Sequence, residues 1–149
     1  MKSLFTSIFV CFYLLSQAQE LKPYFSAIIV EDLESSVSWY SDNLGFKLIN
    51  ETDLYQDRGF KQANLSNSTT SLELIQLKNA INPNELIEPK QRLRGFFKIG
   101  YFVSDFDSLV KSLQQSEVEF HGSVVKDANG KKMLIIKDPD GNKIQLFEE

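Results

Sequence analysis

The stretch Val30-Glu31-Asp32-Leu33-Glu34-Ser35-Ser36-Val37 recurs 73 residues later as Val103-Ser104-Asp105-Phe106-Asp107-Ser108-Leu109-Val110, with Asp32 falling on Asp105. Four of the eight positions are identical and two more are chemically alike. The far ends match as well: Leu72-Glu73-Leu74 falls on Ile144-Gln145-Leu146 at an offset of 72 residues. Two segments that begin alike and end alike mark an internal duplication, so the fold has to be built from two similar units.

The content of each unit follows from hydrophobic period and turn chemistry. Phe25 to Val30 is an apolar run suited to a buried strand. Asp32 is placed to cap a helix from Leu33 to about Asn43, with Val37 and Tyr40 facing the core and Gly45 just past the end. Strands are expected near Phe46 to Thr52, Gly59 to Leu65 and Ser71 to Leu77. The second unit repeats the order: a strand over Phe96 to Val103, a cap at Asp105 and a helix from Phe106 to about Gln115. Three strands follow near Val118 to Val125, Lys131 to Lys137 and Asn142 to Phe147. The turns Asp127-Ala128-Asn129-Gly130 and Asp138-Pro139-Asp140-Gly141-Asn142 separate these last strands. The units span residues 24–77 and 96–148, and the segment 78–95, with Pro83 and Pro89, reads as a linker across the surface.

A chain of 149 residues is sized for one domain of this kind, and its 12 Phe, 5 Tyr and 1 Trp supply ample apolar area for a core. The net charge of -4, with basic residues scattered, excludes the basic footprint that a nucleic-acid partner requires. Residues 1–18 combine a cation at Lys2, an apolar run from about Leu4 to Leu15 and small residues at Ser16 and Ala18. That is the layout of a secretory signal cleaved after Ala18, which makes the protein exported, to the periplasm or beyond. The apolar run is too short to span a bilayer, so no membrane span is expected after cleavage. The only cysteine, Cys11, lies inside this segment, and the mature chain would carry none.

Val30, Asp32-Leu33, Ser35, Trp39-Tyr40 and Leu44-Gly45-Phe46, together with Asp138-Pro139-Asp140-Gly141-Asn142 before Ile144-Gln145-Leu146, resemble the vicinal oxygen chelate superfamily. This is the glyoxalase, bleomycin-resistance and extradiol dioxygenase group, and the resemblance covers residues 20–149. It implies an α+β fold in which two tandem βαβββ modules form a cupped, eight-stranded mixed sheet around a cleft, with the helices on the outer face. It also implies that two copies can pair, some members exchanging modules between chains. It does not by itself imply a reaction.

Metal-using members take ligands from the first and last strand of each module. Carried over, the first-strand positions are Phe25 and Lys98, neither of which can bind a divalent cation, and the last-strand positions are Glu73 and Gln145, which could. Two donors fall short of the roughly three that a catalytic metal requires, so no metal and no cofactor is expected. His121 is the only histidine and has no convergent partner in sequence. Ser35, Ser36 and Ser38 have no His or Lys base nearby in sequence, and no phosphate-cradling glycine loop is present. Lys98, inward on its strand, is expected to fill the place of the cation and pair with Glu73, or to meet an anionic ligand.

Period-two alternation completes the lining of the cleft. Phe25, Ala27 and Ile29 would face it from the first strand, Glu73 and Ile75 from the fourth, Lys98, Gly100 and Phe102 from the fifth, and Gln145 and Phe147 from the last. Ile144 and Leu146 would pack beneath the helix. A mostly apolar and aromatic lining with three polar groups suits a small amphipathic molecule. The leading expectation is therefore a metal-free, exported protein that binds a small organic ligand in the manner of bleomycin-resistance proteins. The alternatives are a glyoxalase- or dioxygenase-like enzyme with a reduced metal site at Glu73 and Gln145, and an interaction module whose cleft is filled.

Overall fold

The computed structural model describes residues 23–83, 86 and 94–149. The expected signal segment 1–18, its cleavage site and Cys11 lie outside these, as does half of the 78–95 linker. The first module contains β1 (Phe25–Val30), α1 (Leu33–Leu44), β2 (Lys47–Leu54), α2 (Tyr55–Arg58), β3 (Phe60–Ser66) and β4 (Ser71–Leu77). The second contains β5 (Ile99–Val103), α3 (Phe106–Gln115), β6 (Val125–Lys126), β7 (Lys132–Lys137) and β8 (Lys143–Glu148). Both modules bring their last strand back beside the first in parallel, giving sheets ordered β1-β4-β3-β2 and β5-β8-β7-β6. The remaining pairs are antiparallel. The fold is thus the expected two-module α+β arrangement, with one correction: the eight strands form two separate four-stranded sheets rather than one continuous sheet.

Local chemistry accounts for the boundaries. Asp32 accepts the Ser35 backbone N–H at 2.8 Å and Asp105 accepts that of Ser108 at 3.2 Å, so the duplicated aspartates are the two helix caps. The Ser35 amide, and secondly the Ser35 hydroxyl, hold the Asp32 carboxyl below its ordinary pKa. Gly45 ends α1 at φ 67°, a left-handed conformation that a side chain would resist. Two expectations are revised. One turn of helix, α2, interrupts the segment between β2 and β3. The strand expected over Val118 to Val125 contracts to Val125–Lys126. Glu119 and His121 still bond to β7, through Lys137 N–H to Glu119 O at 2.9 Å and His121 N–H to Ile135 O at 2.8 Å. Gly122, at φ 99°, then turns the chain away and interrupts the pairing, which resumes at Val125.

Strand parity decides which face is buried. Val30, Ala63, Leu65, Leu72 and Leu74 of the first sheet are buried, as are Leu134, Ile136, Ile144 and Leu146 of the second. Leu33 and Tyr40 of α1 and Phe106 and Leu113 of α3 join them, so the helix-bearing sides of both modules form one contiguous core. The modules meet through Phe46 and Tyr101, whose rings lie 6.1 Å apart edge to face. They also meet through a hydrogen bond across 98 residues of sequence, from the Tyr40 hydroxyl to Asp138 Oδ2 at 2.8 Å. Asp138 is buried, and its two oxygens also accept the backbone N–H groups of Asp140 and Asn142 and the Asn142 side-chain amide. Burial, and secondly the Asp138 charge, push the Tyr40 hydroxyl far above its ordinary pKa, so it remains a donor. Asp140 in turn accepts the Glu31 N–H at 2.8 Å, tying the β7–β8 turn to the entrance of α1.

Two stability outcomes follow. Tyr40→Phe removes the donor but leaves the Asp138 carboxylate buried, at a cost of about 1–3 kcal/mol in denaturant unfolding. Asp32→Ala loses the cap of α1 at a cost of about 1 kcal/mol at neutral pH. Because the folded-state pKa of Asp32 is depressed, that stabilisation is present above the unfolded value. It disappears as pH falls below about 4, so wild type and variant converge there.

Candidate functional site

The faces opposite the shared core carry the residues singled out from the sequence, in two groups. On the first sheet, Ala27 lies beside Glu73 and Ile29 beside Ile75, with Phe25 beside Ser71 at the end of the same face. Phe25 and Ile29 are 54% and 53% exposed. Glu73 accepts a hydrogen bond from the Gln62 side-chain amide at 2.5 Å, from the adjacent β3. A cavity of about 340 Å³ opens on this face among Phe25, Ile49, Asn50, Asn64 and Glu73.

The second sheet presents a ladder with three rungs. Gly100 pairs with Gln145 and Phe102 with Phe147, while Lys98 and Lys143 stand one residue before the paired Ile99 and Ile144. Lys98 donates through Nζ to Gln145 Oε1, and the Gln145 amide lies 3.1 Å from Met133 Sδ, which leaves Gln145 only 5% exposed. The Lys143 and Lys98 ammonium groups lie 4.6 and 5.8 Å from the ring centre of Phe97. Phe102, 78% exposed, tilts against Phe147 with ring centres 6.0 Å apart. A Cβ at Gly100 would stand 3.4 Å from the Phe147 ring, so the missing side chain keeps the middle rung shallow.

The expected ion pair between Lys98 and Glu73 does not form. Each polar group finds an amide partner within its own module, because the two sheets are not joined edge to edge. Among the described residues, neither Lys98 nor Lys143 lies within ion-pair distance of a carboxylate. The four positions at which the family resemblance led us to look for a metal, Phe25, Glu73, Lys98 and Gln145, do not fit a divalent cation. One is a hydrocarbon, one an ammonium, and the two oxygen donors are committed in different sheets. Among the described residues no group of three His, Cys, Asp or Glu converges as a metal site. His121 is exposed, and its backbone N–H bonds to Ile135 O at the edge of the second sheet.

Lys143, Phe97, Met133 and Gln62 were not anticipated as site residues. Lys143 had a signal in the sequence, since it shares its strand face with Gln145 and Phe147. Phe97 lies ahead of β5, outside any regular strand, where alternation says nothing about direction.

Comparison with known proteins agrees with the two-module fold. A family model described as Glyoxalase/Bleomycin resistance protein/Dioxygenase superfamily matches residues 23–146. The uncharacterized protein YwkD of Bacillus subtilis (strain 168) is 28% identical over 124 residues, covering 83% of this chain and 93% of that one. The crystal structure of SMU.1112c matches with a TM-score of 0.73 and 26% identity, covering 87% of this chain and all of the other, 100%. The trypanothione-dependent glyoxalase I of Leishmania major matches with a TM-score of 0.67 and 25% identity, covering 87% of this chain and 88% of that one. With a family model spanning both modules, the chain belongs to the Glyoxalase/Bleomycin resistance protein/Dioxygenase superfamily.

Proposed function

We propose that the protein binds a small organic ligand on the open sheet faces, without a metal, and that it does so outside the cytoplasm after removal of residues 1–18. The observation that carries this reading is the placement of large apolar side chains on faces that the core does not need. Phe25, Ile29 and Phe102 are each more than half exposed, although the chain has a contiguous core on the other side of both sheets. Aromatic side chains held on rigid strands around a few oriented polar groups are the composition of a ligand site. The donor set at Phe25, Glu73, Lys98 and Gln145 favours binding over metal-assisted catalysis.

In the same reading, two copies close the site. Neither the cavity of about 340 Å³ at Glu73 nor one of about 920 Å³ bordered by Arg58, Lys78 and Asp140 takes residues from both open faces. A homodimer that sets the first sheet of one copy against the second sheet of its partner would bring both groups to one cleft and cover the exposed aromatics. Sedimentation of the full chain is expected to give a dimer whose dissociation exposes the probe-binding surface.

The direct test uses N-phenyl-1-naphthylamine, a neutral aromatic probe whose emission rises in apolar sites. Saturable binding is expected, and Phe102→Ala should weaken it by up to about tenfold. A probe that does not bind, or binds without regard to Phe102, contradicts the reading and leaves a filled, protein-binding module. Calorimetric titration with zinc or manganese is expected to show no stoichiometric tight binding, and tight binding would favour the metal-dependent enzyme.

A further inference from the structure

The second sheet's open face carries a charge pattern that ligand binding in general does not require. Parallel pairing of Ile99 with Ile144 sets Lys98 beside Lys143 on the strands immediately ahead, and antiparallel pairing sets Lys143 beside Lys137 on its other side. A row of three lysines therefore lies at one end of this face, Lys98 just ahead of β5, Lys143 on β8 and Lys137 on β7. Like charges directly opposed on adjacent strands destabilise a sheet. Lys137 is neutralised by Glu119 at 2.6 Å. Lys98 and Lys143 have no such partner among the described residues; Lys98 has the neutral Gln145 oxygen, and both flank the Phe97 ring. Above them lie a shallow rung at Gly100 and then the exposed aromatic rung of Phe102 and Phe147, successive rungs being about 7 Å apart.

We infer that this face selects small amphipathic anions, the Lys98 and Lys143 ammonium groups holding a carboxylate or sulfonate while an apolar body lies over Gly100 against Phe102. The inference rests on the ligand-binding reading above and assigns the ligand's charge and orientation. The geometry suits the task in three respects. An anion between the two ammonium groups relieves their mutual repulsion. The Gln145 oxygen orients Lys98, and is itself fixed by the contact of its amide with Met133. Gly100 leaves room where any larger residue would meet Phe147. Glu73, the one carboxylate among the expected site residues, sits on the other sheet of the same chain, where the Gln62 amide engages it.

The test pairs 8-anilinonaphthalene-1-sulfonate with the neutral N-phenyl-1-naphthylamine, two probes that share an aromatic frame and differ by the sulfonate. With the full chain, the anionic probe is expected to bind more tightly and to lose affinity as salt is raised. Lys98→Gln and Lys143→Gln should each weaken the anionic probe by about tenfold and the neutral probe much less. Lys98→Arg should restore most of the loss, and Lys111→Gln, on the exposed side of α3, should change neither probe. Thermal melts of the variants report whether the fold is intact. If the lysine variants weaken both probes equally or neither, the anion selectivity is wrong, while a neutral probe still sensitive to Phe102→Ala keeps the binding reading. If neither probe responds to Phe102→Ala, both proposals fall.

Discussion

Everything about this chain's open surfaces depends on how its two modules are joined. The join is a buried phenol on a buried carboxylate, Tyr40 on Asp138, set beside the Phe46–Tyr101 ring contact. A buried carboxylate is costly unless its lone pairs are used, and here two backbone amides, one side-chain amide and the Tyr40 hydroxyl use them. The same aspartate organises the β7–β8 turn, so the turn that ends the second module also docks it onto the helix of the first. This geometry directs the apolar sides of both sheets into a common core. The opposite faces remain available, and strand alternation then dictates which side chains they carry.

That division also separates the four positions at which the family resemblance led us to look for a metal. Phe25 and Lys98 supply no lone pair, and Glu73 and Gln145 are engaged by Gln62 and Lys98 within their own sheets. The second sheet has instead a graded surface: cationic at the start of β5 and β8, polar and shallow at Gly100 and Gln145, aromatic at Phe102 and Phe147. Such a gradient can hold one end of a molecule by charge and the other by contact area, which fixes orientation as well as affinity.

Much of this was legible in the amino-acid sequence, and the parts that were not share a physical cause. The duplicated Asp32 and Asp105 mark the caps, because an aspartate ahead of an apolar helix start has few other uses. The face assignments of β1, β4, β5 and β8 follow from alternation, which is a property of the strand alone. What depends on packing between elements was not legible. The separation of the sheets, and with it the absence of a Lys98–Glu73 pair, is set by how the modules dock. The α2 turn at Tyr55–Arg58 has no side-chain cap, and its Gly59 terminus reads equally well as a hairpin residue. The shortening of β6 is decided by the φ of 99° at Gly122, a residue that strands tolerate when φ is negative. Lys143 was within reach, since it stands to Ile144 as Lys98 stands to Ile99, but that relation needs the register of two strands 45 residues apart.

The central claim is that the second sheet's face opposite the core is a binding surface, and amide chemical-shift mapping tests it without any substitution. On titrating the isotopically labelled chain with 8-anilinonaphthalene-1-sulfonate, the largest shifts should fall on β5 and β8, at Gly100, Phe102, Gln145 and Phe147. Shifts confined to the helices, or to the cavity of about 920 Å³ bordered by Arg58, Lys78 and Asp140, would contradict it.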